Sequence, residues 1–374
     1  MRIIGIIIEA NPFHLGHKYL IEQCKTKLNP DLIIAVCSGY FTMRGEISVL
    51  PKSIKTDILL SEGFDIVLDL PTACYLNSSQ MFAENSIQIL NKVGITDLVF
   101  GVEKCNLDSL RKVIDLENNP EFHSLLLNNQ KKLYSFKKAY CKTILDLSND
   151  KQLSELSNYP NNTLALEYLK AINKYNNSII PHTIMRIGSD DNNQELNSFP
   201  SGTALRLAIK KCKDVSNFIT YPSTSFIDLN VAYSNLNNLC KNLKLKDSSY
   251  YENFLLIKEG INNYILKNYD YELDFEKNIE KLANKKYTKS RIRRTLLSMI
   301  LEIPNTIPEE IPLKITGFSK KGSTHLKNLL NLTYGVKDNS SFYNQLEIKV
   351  VKLYSILTNR DFVINEYMFP RKEK

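Results

Sequence analysis

Ile3-Ile4-Gly5-Ile6-Ile7-Ile8-Glu9-Ala10-Asn11-Pro12-Phe13-His14-Leu15-Gly16-His17 decides the fold. The β-branched run predicts a strand buried on both faces, as in a parallel sheet. It hands over to a helix expected across His17–Lys27, with two histidines three apart at the junction. A helix N-terminus presents unpaired N–H groups and a positive dipole end, so it attracts phosphate. Gly16 removes side-chain bulk and lets a nucleotide lie close to the backbone. His14 and His17 are the candidate catalytic residues. They can donate hydrogen bonds to phosphate oxygens and stabilise charge on a pentacoordinate α-phosphorus, each donor worth about 10²–10³ in rate. H-x-x-H also reads as capping, packing or part of a metal site. Zinc lacks a third ligand here, because His123, His182 and His325 are scattered.

The pattern around this stretch is α/β. Strands are expected at Ile3–Ile8, Leu32–Cys37, Ile66–Leu70, Leu98–Gly101 and Ile179–Met185, all reading as buried on both faces. Helices are expected at His17–Lys27, Ile54–Glu62, Ser79–Lys92, Thr163–Asn173 and Ser201–Lys211. Repeated β-then-α order predicts a doubly wound parallel sheet with right-handed crossovers. Ligands bind such sheets beyond the carboxyl ends of the strands, at the switch point. After about residue 213 the strand rhythm fades. Residues 250–302 and 319–358 read as amphipathic helices joined by a proline-punctuated connector from Ile303-Pro304 to Pro312. Two regions are expected: a catalytic α/β domain, 1–212, and a mostly helical extension, 213–374.

Composition narrows the classes. Of 374 residues, 43% are hydrophobic and 24% charged, enough to bury a core without disulfide staples. No apolar run approaches the ~20 residues of a membrane span. Glu9 and Asn11-Pro12 interrupt the first apolar run, and no small-residue cleavage site follows it, so it does not read as a signal peptide. The net charge of +8 permits a polyanionic partner without requiring one. Seven dispersed cysteines without a C-x-x-C pair suit a reduced cytoplasmic setting and offer no zinc cluster. Neither a G-x-x-x-x-G-K-[ST] loop nor the H-x-E…P-C-x-x-C deaminase signature is present.

A second motif reads Phe199-Pro200-Ser201-Gly202-Thr203-Ala204-Leu205-Arg206. Small hydroxyl residues open a helix and an arginine follows, forming another anion-binding N-terminus. Paired with H-x-G-H, it resembles the HIGH-type nucleotidyltransferase superfamily, whose second signature is roughly I-S-S-T-x-x-R. Ser201, Thr203 and Arg206 match. Gly202 replaces the second serine and keeps the backbone donors. Further stretches follow in order: Ser38-Gly39-Tyr40-Phe41-Thr42-Met43-Arg44-Gly45-Glu46, Asp69-Leu70-Pro71-Thr72, Phe100-Gly101-Val102-Glu103, Pro160-Asn161-Asn162-Thr163-Leu164 and Lys286-Tyr287-Thr288-Lys289-Ser290-Arg291. Together they resemble the bacterial tRNA(Met) cytidine acetate ligase family.

The resemblance implies a HIGH-type Rossmann-like core with a helical C-terminal extension. It implies that acetate and ATP form acetyl-adenylate, which then acetylates N4 of the wobble cytidine, C34, of elongator tRNA(Met). Mg²⁺ is expected with the triphosphate, and no acetyl-CoA is needed. The implied ATP site comprises Ile7, Ile8, Glu9, Ala10, Asn11, Pro12, Phe13, His14, Leu15, Gly16, His17, Lys18, Tyr19 and Leu20. Gly101, one of Asn161 or Asn162, Arg186 and Ile187 complete it, with Ser201, Thr203 and Arg206 at the phosphates. Met43 stands where the family favours Gln, and Lys55 where it has an arginine, keeping charge but losing the fork.

Lys285-Lys286-Tyr287-Thr288-Lys289-Ser290-Arg291-Ile292-Arg293-Arg294 holds six basic residues and no acidic one. Ile292, Leu296 and Ile300 mark a buried side that turns the charge outward. Such a run is usually a solvated face; the resemblance points instead to tRNA contact by Lys285, Lys286, Lys289, Arg291, Arg293 and Arg294. Lys320 and Lys321 are weaker candidates for the same surface. Arg44 is a candidate for tRNA contact or for closing over the nucleotide. Asp69 reads as structural or as a Mg²⁺ ligand, and Glu103 as a cap or ion-pair partner. Two other functions remain open on sequence: adenylyl transfer to a small phosphorylated cofactor precursor, and non-enzymatic RNA binding.

Overall fold

The computed structural model describes residues 1–133, 135–188, 196, 198–329, 341–362 and 370–372. Its strands are β1 Ile3–Ile8, β2 Leu32–Ser38, β3 Ile66–Leu70, β4 Asp97–Val102, β5 Ile180–Met185, β6 Ile315–Phe318 and β7 Arg371–Lys372. The helices of the first half are α1 Leu15–Leu28, α2 Lys52–Ser61, α3 Thr72–Tyr75, α4 Ser79–Lys92, α5 Leu107–Glu117, α6 Phe122–Leu133, α7 Phe136–Ser148, α8 Lys151–Glu155 and α9 Pro160–Tyr175. The second half adds α10 Gly202–Lys210, α11 Leu229–Asn242, α12 Ile261–Asn268, α13 Phe275–Leu282, α14 Lys289–Leu301, α15 Lys320–Asn328 and α16 Phe342–Thr358.

The strands lie in the order β5-β4-β1-β2-β3-β6-β7. β1 pairs parallel with β2 and with β4, so it is central and its isoleucines are covered from both sides. The chain winds outward through β2 and β3, then returns past β1 to β4 and β5. Right-handed crossovers therefore put α1 and α2 on one face and α4 and α9 on the other, and α4 packs along α9. The reversal leaves the switch point between the carboxyl ends of β1 and β4.

Two expectations change. β5 is an edge strand with an exposed Ile180 and Met185, because no strand among the described residues covers its outer side. The C-terminal region is not helical alone. β6 adds antiparallel to β3, and β7 joins β6. Gly322 lets α15 seat against the start of β3: a Cβ there would fall 2.0 Å from the Asp65 carbonyl oxygen.

One hydrophobic cluster runs from Ile3 to Leu357 and joins both halves of the chain. α16 reaches the segment after β2, where Tyr354 donates to the Ser48 carbonyl at 2.9 Å and its ring lies 4.6 Å from that of Tyr40. Asp69 is buried in an ion pair with Lys52 at 2.5 Å, so it serves structure at the end of β3.

Candidate functional site

Two helix N-termini meet at the switch point. His14 is the N-cap of α1, with Nδ1 accepting from the Gly16 N–H at 3.0 Å. His17 Nδ1 accepts from the His14 N–H at 3.2 Å. Each ring thus accepts at Nδ1, which assigns the proton to Nε2 and makes both imidazoles Nε2–H donors. Their centroids are 4.0 Å apart. Burial holds the His14 pKa well below the ordinary imidazole value, and the charges of His17, Arg186 and Arg206 push the same way. His14 is therefore neutral.

α10 supplies the second terminus. Ser201 caps it through a 3.1 Å bond from the Ala204 N–H. Arg206 donates to the Asn11 carbonyl at 2.7 Å and to Thr203 Oγ1 at 3.2 Å. A Cβ on Gly202 would lie 3.4 Å from the Asn11 carbonyl oxygen and 4.0 Å from His14 Nε2. The two signatures, nearly 190 residues apart in sequence, thus meet at one locus. Gly16 also has a role within the chain: a Cβ there would sit 2.8 Å from the His14 ring, so the missing side chain makes room for that imidazole.

The β4 side carries the nucleoside candidates. Arg186 packs over Gly101, whose Cβ would lie 3.1 Å from Arg186 Cγ, and it donates to Asn161 Oδ1 at 3.2 Å. Glu103 accepts from the Asn161 backbone N–H at 3.3 Å and side-chain amide at 3.0 Å, so it caps α9. Asn162 is buried and points elsewhere, holding the Glu103 N–H at 2.8 Å and the Glu103 carbonyl at 2.7 Å. Its amide is committed to backbone, whereas the Asn161 side chain bonds Glu103 and Arg186. Ile187 is half-buried beside Arg186. Ile8, Ala10, Asn11, Pro12 and Phe13 are buried, while Ile7, Glu9, Leu15, Lys18, Tyr19 and Leu20 are half-buried.

The segment after β2 closes the other side. Lys55 is buried and donates to the carbonyls of Glu9 at 3.2 Å, Ser38 at 2.7 Å and Gly39 at 2.5 Å. A point-like ammonium suits three converging carbonyls. The Met43 N–H donates to Glu9 Oε1 at 2.6 Å. Burial raises the Glu9 pKa, opposed by the Met43 bond and by Arg44 and Lys55. Glu46 pairs with Arg206 at 2.8 Å and approaches Arg293 at 4.0 Å.

The basic run does not face outward as a unit. Arg293 pairs with Glu276 at 2.5 Å. Arg294 donates to the Met43 carbonyl at 3.0 Å, and burial pushes its pKa down to about 10. Gly45, at φ 73°, fits against both; a Cβ there would lie 2.8 Å from Arg293 Cβ and from the Arg294 nitrogen. These arginines clamp the Arg44–Glu46 turn instead of displaying charge. Lys285, Lys286 and Lys289 are exposed; Lys286 and Lys289 lie near Glu259 and Glu280, and Arg291 is half-buried beside Glu259. Lys320 and Lys321 are also exposed.

The HIGH Nucleotidyl Transferase family model matches residues 1–366. A Clostridium novyi tRNA(Met) cytidine acetate ligase is 35% identical over 290 residues, covering 72% of this chain and 71% of that protein. The chain belongs to this nucleotidyl transferase family, among the tRNA(Met) cytidine acetate ligases. The Fervidobacterium nodosum tRNA(Met) cytidine acetate ligase is 40% identical over 218 residues, 57% of this chain. That match spans about half, 51%, of the relative's own length. A crystal structure of apo Thermotoga maritima TmcAL matches with a TM-score of 0.86 at 24% identity, covering 100% and 99% of the two chains. The same protein bound with alpha-thio ATP matches at 0.83 and 25% identity, covering 99% and 100%.

In this nucleotidyl transferase, Glu46 and Tyr221 escaped sequence reading as site residues. Tyr221 donates to the Phe13 carbonyl at 3.0 Å. Only the Arg44-Gly45-Glu46 stretch offered a signal for the first, and nothing pointed to the second. Among the described residues no group of three His, Cys, Asp or Glu side chains has a metal-binding arrangement, and no helix is long and apolar enough to cross a membrane.

The neutral His14 has a consequence for stability. As pH falls through about 6.5, the unfolded chain binds a proton that the folded chain refuses, so folding weakens. His14→Asn keeps a capping side chain and removes that titration. Its urea midpoint is expected to drop less than the wild-type midpoint between pH 7 and pH 5. Equal drops would show that His14 takes up no proton on unfolding.

Proposed function

We propose that this nucleotidyl transferase joins acetate to ATP and passes the acetyl group to N4 of the wobble cytidine of elongator tRNA(Met). The observation that carries the reading is the meeting of His14, His17 and Arg206 at two opposed helix N-termini. Relatives named tRNA(Met) cytidine acetate ligase supply the substrate class.

Acetate is ionised at neutral pH and needs no general base. Its oxygen attacks the α-phosphorus, and the bond to pyrophosphate breaks. The work is positioning and charge stabilisation. Nε2–H groups of His14 and His17 donate to the α-phosphate oxygens. Arg206 and the N–H groups opening α10 at Ser201–Thr203 hold the leaving phosphates. Arg186, Asn161, Gly101 and Ile187 seat the nucleoside. Glu46 leaves Arg206 as the triphosphate arrives, one anion replacing another. Mg²⁺ would travel on the phosphates and water, as it commonly does in nucleotide sites. The cytidine amine, delocalised into its ring, then attacks the acyl carbon of the mixed anhydride; the C–O bond to AMP breaks, AMP leaves and N4 gives up one proton to water.

Residues 1–212 carry adenylation in this reading, and 213–374 carry tRNA contacts at Lys285, Lys286 and Lys289, with Arg44 nearer the nucleotide. The reaction is cytoplasmic, where its tRNA substrate works. Nucleoside mass spectrometry on elongator tRNA(Met) incubated with the protein, ATP, Mg²⁺ and acetate tests the assignment. N4-acetylcytidine should require ATP and acetate but no acetyl-CoA. Acetate-dependent AMP formation without modified tRNA would move the acetyl group to another acceptor. Absence of both products would overturn the reading.

A further inference from the structure

The chemistry above leaves the α6–α7 hairpin unused. From Phe122 to Leu145 the chain has five lysines and no Asp or Glu, although the whole chain holds 48 basic and 40 acidic residues. Lys131, Lys132, Lys137 and Lys138 are exposed about the tip. Between them Phe136 is 61% exposed. Its ring is held rather than loose. It stacks on Tyr140 at 6.2 Å and 30°, and Tyr140 is fixed by an edge contact to Phe122 and a hydrogen bond to Glu117. A cavity of about 670 Å³ opens on its inner side, lined by Glu84, Glu117 and Glu167 as well as by Lys137, Lys170 and Lys174, so the lysines of the tip itself, not the cavity, offer the unopposed charge.

The tip reaches the turn that leads into α9. Lys137 Nζ donates to the Asn158 carbonyl at 3.0 Å, three residues before the Asn161 that holds Arg186. Lys104 lies over the neighbouring Tyr159 ring at 5.2 Å. The hairpin rests on α5, which packs along α9 and against β5, and α9 in turn flanks β4. The Lys285–Lys289 run instead leads into α14, on the side of the segment after β2. The two lysine groups thus lie on different sides of the sheet, one toward β4 and β5, the other toward the segment after β2.

We infer that the α6–α7 tip is a second RNA-contact surface, taking unpaired nucleotides beside the reacting cytidine. Its lysines neutralise backbone phosphates, and Phe136 offers its outer face to a base. An exposed aromatic set among lysines is the arrangement that holds single strands by stacking plus charge. Bases read by proteins in RNA are mostly those of loops, already splayed from a helix. This inference rests on the tRNA reading given above.

The test uses the full chain with Phe136→Ala, Phe136→Tyr and the double variant Lys132→Glu/Lys138→Glu. Binding of elongator tRNA(Met) is measured across salt, alongside acetate-dependent ATP–pyrophosphate exchange without tRNA. Phe136→Ala should weaken tRNA binding roughly tenfold and Phe136→Tyr should restore it. The double variant should weaken binding and reduce the salt slope by about 0.7 per lost contact. Exchange should stay at the wild-type rate in all three. Wild-type affinity in the variants, from a protein that does acetylate tRNA, overturns the tip surface alone. A wild-type chain that exchanges pyrophosphate but binds no tRNA overturns the tRNA reading and this inference with it. Loss in the double variant without loss in Phe136→Ala overturns the stacked base.

Discussion

His17→Ala is expected to slow acetate-dependent ATP–pyrophosphate exchange by about 10²–10³-fold while costing no more than about 1 kcal/mol of stability, because its ring completes the capping box of α1. Its ring is half-buried at the mouth of the locus, stacked on Phe13 at 5.4 Å, with Nδ1 held by the His14 N–H at 3.2 Å. Removing it takes away an oriented donor that matters most as charge gathers on the α-phosphate, so the turnover number should suffer more than ATP affinity. His14→Ala should be as damaging to exchange and should also cost about 1 kcal/mol of stability, because His14 caps α1. Retained exchange in both variants would remove the histidines from the chemistry and sink the assignment.

Lys55→Met should cost about 3 kcal/mol or more in folding stability, among the largest effects of any single substitution in this chain. Three carbonyls converge on that ammonium within 3.2 Å, from the ends of β1 and β2. Methionine fits the volume but donates nothing, and a buried acceptor left without a donor costs about 1–3 kcal/mol. Burial lowers the Lys55 pKa, so part of that loss is offset by no longer burying a charge. Lys55→Arg keeps the donors and should lose much less. Urea denaturation distinguishes the cases: equal losses in the two variants would mean that shape, not hydrogen bonding, governs the position.

The central sheet was legible because β1 to β4 are short β-branched runs with both faces covered. β6 was not, because Ile315–Phe318 is four residues long with alternating burial and follows a proline-rich connector. Nothing in so brief a run distinguishes a strand from a loop until β3 offers it a partner. The site was legible at His14, His17 and Arg206, whose chemistry is local to helix starts. It was not legible at Arg293 and Arg294. Helical spacing placed Ile292 and Leu296 inward, yet Thr295, Leu297, Ser298 and Met299 are buried too. α14 is enclosed on several sides, so a single apolar stripe does not describe it, and its arginines find partners in Glu276, Glu46 and Met43. Nor was it legible that Asn161 would bond the Glu103 carboxylate and Arg186 while Asn162 bonds the Glu103 backbone, a matter of helix phase and not of residue type.

The bond from Arg206 to the Asn11 carbonyl also sets a timetable. It links residues 195 apart in the chain. A ribosome adding about 5–20 residues per second needs roughly 10–40 s between releasing one partner and releasing the other. During that interval β1 and the histidine turn can already be paired with β2, but the anion locus has only one of its two helix ends. Nucleotide capture therefore waits until more than half of the chain has been made, and a product cut short before α10 would lack one of the two helix ends of the grip.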